Sequence, residues 1–181
     1  MSHLKDYEAV PELDAVLEAA SCAGVEIVPV AAGAVIPISK HAVLRVLSPK
    51  EGILADSSND DSLLLSLEYG EARALFLADA SAEVSEAIAG DTDLLKVAHH
   101  GAQDGTSARL LADTTPSAAV ISVGRDNSYG HPSSRVLDLL EAAGAQIYRT
   151  DQSGAVTCKM YRDGTLKLRG NMTSEGGYEL E

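Results

Sequence analysis

The constraint that most limits what this chain can fold into is a unit that occurs twice between Asp93 and His131. A short apolar run ends, a glycine-bearing loop carries histidine, and a hydroxyl residue opens a helical pattern. The first copy is Asp93-Leu-Leu-Lys-Val-Ala-His-His-Gly-Ala-Gln-Asp-Gly-Thr-Ser107. The second ends Ser122-Val-Gly-Arg-Asp-Asn-Ser-Tyr-Gly-His131-Pro-Ser. An earlier loop, Ala74-Leu-Phe-Leu-Ala-Asp79-Ala, delivers a carboxylate in the same way. Strands alternating with helices predict an α/β mixed sheet, and in such sheets ligands sit beyond the carboxyl ends of the strands.

The rest of the chain supports that class. Val10 to Gly24 predicts a helix and Val25 to Val30 a β-branched strand. Ile36 to Ile38 reads as a short edge strand, and Ala42 to Leu47 as a strand stopped by Ser48-Pro49. Ser62 to Tyr69 and Ala72 to Leu77 form a hairpin across Gly70-Glu71, and Ser81 to Ala89 is a helix. Leu94 to Ala98, Ala118 to Val123 and Gln146 to Arg149 are strands, interleaved with helices from Thr106 or Ser107 to Asp113 and from Arg135 to Ala143. Ala155 to Tyr161 and Thr165 to Arg169 pair across the Asp163-Gly164 turn, and residues 170–181 read as a tail.

Composition excludes several classes. No apolar run approaches the ~20 residues of a membrane span, so the chain itself is expected to be soluble. A net charge of −13 repels nucleic-acid phosphates at long range, so any nucleic-acid role requires a local positive site or bound cations. Cys22 and Cys158 form no CxxC and read as small core residues. Ser107 and Ser128 stand outside any G-x-S-x-G elbow, against a serine hydrolase.

Three of the five histidines (His99, His100 and His131) lie in the two repeated loops. Neutral imidazole and carboxylate are the usual ligands of Zn, Mn or Fe, so these histidines with Asp79 are the candidate site. Of the two adjacent histidines, one is expected to bind metal while its neighbour points the other way. Asp79 is either a ligand or the N-cap of the following helix. His131 is a ligand, a general acid, a phosphate contact or a turn residue held by Pro132. Asn127, Ser128 and Tyr129 offer donors near a phosphate, and the Asn59-Asp-Asp-Ser62 loop either lines the same cleft or is only a turn.

Taken in order, the segments Asn-Asp-Asp-Ser-Leu (59–63), Leu-Glu-Tyr-Gly (67–70), Phe-Leu-Ala-Asp-Ala (76–80), Asp-Leu-Leu-Lys-Val-Ala-His-His-Gly (93–101), Ala-Val-Ile-Ser-Val-Gly-Arg-Asp-Asn-Ser-Tyr-Gly-His-Pro-Ser (119–133) and Tyr-Arg-Thr-Asp-Gln-Ser-Gly-Ala-Val (148–156) closely resemble the C-terminal metallo-β-lactamase-like domain of ComEC-type competence proteins. These are bacterial inner-membrane proteins that import transforming DNA. The resemblance implies an αββα sandwich, of which this chain is expected to be the C-terminal portion, with residues 1–170 as the domain and 171–181 as a flexible tail. It implies a divalent metal, Mn or Zn, and hydrolysis of the non-transported DNA strand by a metal-activated water attacking phosphorus in line. It implies Asp79, His100 and His131 as catalytic residues, and Asp79, His99, His100 and His131 as the metal set. Asn59, Asn127, Ser128 and Tyr129 become phosphate contacts. Single-stranded DNA and a membrane channel are the implied partners, with no soluble organic cofactor, on the outer face of the bacterial inner membrane.

Two departures from the family pattern qualify this. The H-x-H-x-D-H signature that supplies most ligands is absent, and Met1-Ser-His3-Leu-Lys-Asp6 does not replace it. The start reads as a cut inside a longer chain, and activity of this chain alone is expected to be weak or nil, with metal binding by the isolated half-site left open. The alternative function is a non-catalytic structural or DNA-guiding module of the uptake channel. The family's Thr-Gly-Asp is here Leu77-Ala78-Asp79. A sandwich cut in half also exposes apolar sheet surface, which predicts self-association.

Overall fold

A computed structural model describes residues 11–53, 55 and 57–172. Its centre is a seven-stranded sheet in sequence order, β1 (Val35–Pro37), β2 (Ala42–Ser48), β3 (Leu64–Tyr69), β4 (Ala72–Phe76), β5 (Leu94–Lys96), β6 (Ala118–Ile121) and β7 (Gln146–Arg149). The pairing changes character halfway. β1 to β4 are antiparallel, with Tyr69 opposite Ala72 across the two-residue Gly70-Glu71 turn. β4 to β7 are parallel, joined by helical crossovers.

The alternation of side chains along the strands separates two cores. On one face Leu64, Leu75, Leu95, Ala119 and Ile121 pack with α2 (Ala82–Glu86), α3 (Ala108–Thr114) and α4 (Ser134–Ala142) through Leu110, Leu111, Val136 and Leu140. On the other face Ala74, Leu94 and Ala118, with Phe76, Val120 and Tyr148, meet Cys158, Met160, Leu166 and Leu168. Those four belong to a separate two-stranded hairpin, β8 (Val156–Met160) with β9 (Leu166–Gly170). Helices, sheet and hairpin form the α-β-β part of the expected αββα layering, in a mixed α/β fold.

Helix starts follow local chemistry. Ser81, Ser107 and Ser133 sit in extended conformation and accept from the backbone N–H three residues on, at 3.5, 3.0 and 3.3 Å. Ser81 is therefore the N-cap of α2, and Asp79 is not. Thr106 is buried beside the true cap of α3, Ser107. α2 is shorter than Ser81 to Ala89 because its last turn loosens after Glu86.

Three expectations fail. Val25 to Val30 is not a strand; no described strand lies beside it to pair with, and Val25 and Val28 are 60% and 65% exposed. Cys22, at the end of α1 (Pro11–Cys22), is exposed, not core. The runs expected at Leu94 to Ala98 and Ala118 to Val123 stop at Lys96 and Ile121, where the backbone turns into the site loops. The tail expected over 170–181 lies outside the described residues beyond Met172, and Gly170 closes β9. His3 and Asp6 also lie outside them.

The exposed Val16, Val25, Val28, Val35 and Ile38 gather along the N-terminal part of the chain. Leu95, fully buried in the helix-facing core, should be far more sensitive than these residues. Leu95→Ala is expected to lower unfolding free energy by ~2–5 kcal/mol and Val28→Ala by less than ~0.5 kcal/mol, read by urea denaturation; equal effects would contradict this placement of the core.

Candidate functional site

Strands β4, β5 and β6 run parallel and end at one edge of the sheet, which brings Asp79, His99-His100 and the Ser122–His131 loop together. The turns are left-handed. Ala78, His99 and His100 have φ of 46°, 47° and 54°. His99 N donates to the Ala78 carbonyl at 2.8 Å, so the strained β4 and β5 turns brace each other. Glycine is the residue that adopts this conformation without steric cost, and here an alanine, Ala78, adopts it instead.

Gly101 joins the second pair of loops. Its φ is +83°, its carbonyl accepts from Ser133 N at 2.9 Å, and a Cβ there would lie 2.6 Å from the Pro132 side chain. Thr150, at the start of α5 (Thr150–Ser153), holds the root of the His131 loop. Its hydroxyl accepts from Val123 N at 2.7 Å and donates to the Val123 carbonyl at 2.8 Å.

The two adjacent imidazoles point to different partners. His100 Nδ1 lies 2.7 Å from the Ser122 carbonyl, which can only accept, so Nδ1 carries the hydrogen. A neutral His100 then presents the Nε2 lone pair, 3.6 Å from Asp79 Oδ1. That separation is too long for a hydrogen bond. It is close to the ~3.4 Å between two ligands that each lie ~2.1 Å from a tetrahedral metal. His99 turns instead to Asp104, with Nδ1 3.6 Å from Oδ1, and its ring centre lies 5.9 Å from that of His131. Tyr129 stacks on His131 with ring centres 5.9 Å apart and planes 15° from parallel. His99, Asp104, His131 and Arg135 border an open cavity with Ala102 and Gln103.

The structure thus brings the expected residues to one edge but in two pairs, His100 with Asp79 and His99 with His131. Among the described residues no three His, Cys, Asp or Glu side chains converge as a metal cage. The Asp79–His100 pair suits a divalent cation in donor chemistry and spacing, and among the described residues no third such side chain joins it.

The expected phosphate contacts divide. Asn127 braces its own loop, donating to the Gly124 and His131 carbonyls at 3.0 and 2.8 Å and accepting from His131 N at 3.0 Å. Ser128 is exposed, and Tyr129 is 81% exposed. Asn59 is an exposed turn residue whose N–H reaches Ser57 Oγ at 3.3 Å. Its neighbour Asp60 makes the connection to the site, accepting from Ser81 N at 2.8 Å.

Lys96, at the end of β5, is a residue that motif reading passes over. Burial pushes its ammonium below the usual lysine range, and the charge of Asp79 opposes that shift. Its Nζ donates to the Val97 carbonyl at 3.0 Å. Lys96 is thus a built-in cation next to the candidate ligand. Arg135 and Asp104 were equally unremarkable in the sequence, because only the folded loops bring them to His99.

Two outcomes follow from this geometry. In a ¹³Cε-lysine NMR titration, Lys96 should titrate below the ordinary value of 10.5, and Asp79→Asn should move it lower still by removing the supporting charge. Because the unfolded state binds the proton more tightly, Lys96 costs stability at neutral pH, a cost relieved as pH rises toward 10.5. Ala78→Gly should stabilise the fold by ~1 kcal/mol in urea denaturation, by relieving a left-handed alanine; a loss of stability would contradict the strain.

No protein-family model matches the chain. Three curated relatives do. ComE operon protein 3 of Bacillus subtilis is 34% identical over 157 residues, 84% of this chain. Recombination protein 2 of Haemophilus influenzae is 30% identical over 66% of the chain, and Competence protein ComA of Neisseria gonorrhoeae 31% identical over 61%. The chain spans 20%, 15% and 17% of those proteins. These relatives bear out the resemblance read from the loop motifs. Among solved structures, a candidate metal-dependent hydrolase from Parabacteroides distasonis aligns with a TM-score of 0.50 at 12% identity, over 74% of this chain and 61% of its own, in keeping with a metallo-β-lactamase-like fold.

Proposed function

From a chain related in sequence to part of the ComEC-type competence proteins, we propose a segment of a DNA-uptake protein whose metal-dependent site hydrolyses phosphodiester bonds of the non-transported strand. The observation that carries this reading is the Asp79–His100 pair. A carbonyl fixes the imidazole tautomer, and a lone-pair nitrogen faces a carboxylate oxygen at 3.6 Å with no hydrogen bond between them. A cation between them would satisfy both. A divalent metal, Mn or Zn, would supply Lewis acidity toward a phosphoryl oxygen.

The remaining roles fall to the chain's own groups. His131, in contact with the His99 and Tyr129 rings, is the phosphate contact or proton donor. His99 and Arg135 border the same cavity, where the guanidinium favours an anion. Asn127 acts by holding the His131 backbone, and Ser128 and Tyr129 face the approaching strand. We place the segment beside the parent's membrane channel, on the outer face of the inner membrane, as the family resemblance of the loop motifs implies. Among the described residues no helix is long and apolar enough to cross a membrane.

A second reading has one observation in its favour. With no third metal-ligating side chain beside Asp79 and His100 among the described residues, the segment alone is a DNA-guiding module. Cleavage of labelled single-stranded DNA with Mn²⁺ separates the two. This chain alone should cleave weakly or not at all. A longer competence-type protein carrying it should cleave, and Asp79→Ala or His100→Ala should slow it by at least ~10-fold. Undiminished cleavage in both variants would contradict the hydrolytic role, and clear turnover by this chain alone would contradict its dependence on further donors.

A further inference from the structure

Outside the loops at the sheet edge, the most pronounced chemical feature is the outward face of the β8–β9 hairpin. The inward residues Cys158, Met160, Leu166 and Leu168 pack against the sheet. Thr157, Lys159, Tyr161, Lys167 and Arg169 alternate with them and are exposed. They border an open groove of about 320 Å³.

We infer that this face binds the backbone of a single-stranded nucleic acid. The inference rests on the nucleic-acid reading above but not on a metal or on cleavage.

The chain as a whole has 27 acidic and 14 basic residues. Residues 156–170 invert that balance, with Lys159, Arg162, Lys167 and Arg169 against Asp163 alone. Asp163 is held in its own turn, accepting from Thr165 N at 3.0 Å. The register places Lys159 directly opposite Lys167, and among the described residues neither forms an ion pair. Like charges directly opposite one another destabilise a two-stranded pair, and an anion lying along the face relieves that repulsion.

Shape and chemistry then select the anion. Same-face residues along a strand repeat every ~6.8 Å, so the basic rungs form a line suited to an extended polyanion. Lys167 Nζ lies 5.4 Å from the Tyr161 ring centre, which adds a cation beside an aromatic surface. An exposed aromatic among cations is a platform for an unstacked base, available in single strands and not in duplexes. Leu168 also borders the groove but packs inward against the sheet, so the outward positions carry no aliphatic side chain for insertion into a lipid surface. The line also leads toward the site. Arg125, in the loop that ends at His131, donates to Met172 Sδ at 3.4 Å, just past the end of β9.

Fluorescence anisotropy with a labelled oligothymidylate in EDTA tests the surface without involving the Asp79 site. The chain should bind, and binding should weaken as salt is raised. Lys167→Gln and Arg169→Gln should each reduce the magnitude of the log–log salt slope by about 0.7. Lys159→Glu is the discriminating variant. It converts a like-charge pair into an opposite-charge pair, so it should raise Tm while lowering oligonucleotide affinity at least ~10-fold. Absence of binding, unchanged affinity in Lys159→Glu, or tighter binding to phosphatidylglycerol vesicles at equal phosphate would overturn the inference. Because the assay contains no free divalent cation, its failure is distinct from failure of the hydrolytic reading.

Discussion

The left-handed turn of the backbone at the ends of β4 and β5 is what the rest of the site depends on. Parallel pairing brings the ends of β4, β5 and β6 into line, but parallel strands alone would send their chains on in similar directions. The positive φ values at Ala78, His99 and His100 redirect the chain within a few residues. The His99 N–H to Ala78 carbonyl bond locks the two turns to each other. Adjacent histidines thereby diverge, one toward Asp79 and the Ser122 carbonyl, the other toward Asp104 and His131. Strain of this kind persists only where the surrounding packing over-determines it, and here the fully buried Leu77, Val97 and Ala98 supply that packing.

Much of this arrangement is legible in the sequence, for identifiable reasons. The parallel half of the sheet announces itself because β4, β5 and β6 are each a short apolar run followed by a loop and a serine N-cap. The two hairpins announce themselves through Gly70-Glu71 and Asp163-Gly164. The divergence of the two histidines is likewise an expectation from adjacency. What is not legible depends on tertiary placement. Val25 to Val30 has strand composition, but a strand needs a neighbour and no described one is beside it. Ala78 gives no sign of a left-handed turn, because alanine is not the residue that usually takes one. Asp104, Arg135 and Lys96 become part of the site only when the loops close over it.

The charge distribution ties site and surface together. An acidic chain keeps a polyanion at a distance except where positive groups concentrate. They do so on the outward face of the hairpin, while at the His131 loop Arg135 borders the cavity together with Asp104. The layered packing makes this division possible. The hairpin uses one alternation to bury Cys158, Met160, Leu166 and Leu168 and turns the other, with Lys159, Lys167 and Arg169, outward.

The central claim is that Asp79 and His100 form part of a metal site at the sheet edge. The most direct measurement is paramagnetic broadening of the backbone amide NMR spectrum on titration with Mn²⁺. Signals from Asp79, His100 and Ser122 and their sequence neighbours should be lost selectively, with the β8–β9 hairpin signals retained. Broadening centred on another part of the molecule, or none at millimolar Mn²⁺ with the fold intact, would contradict it.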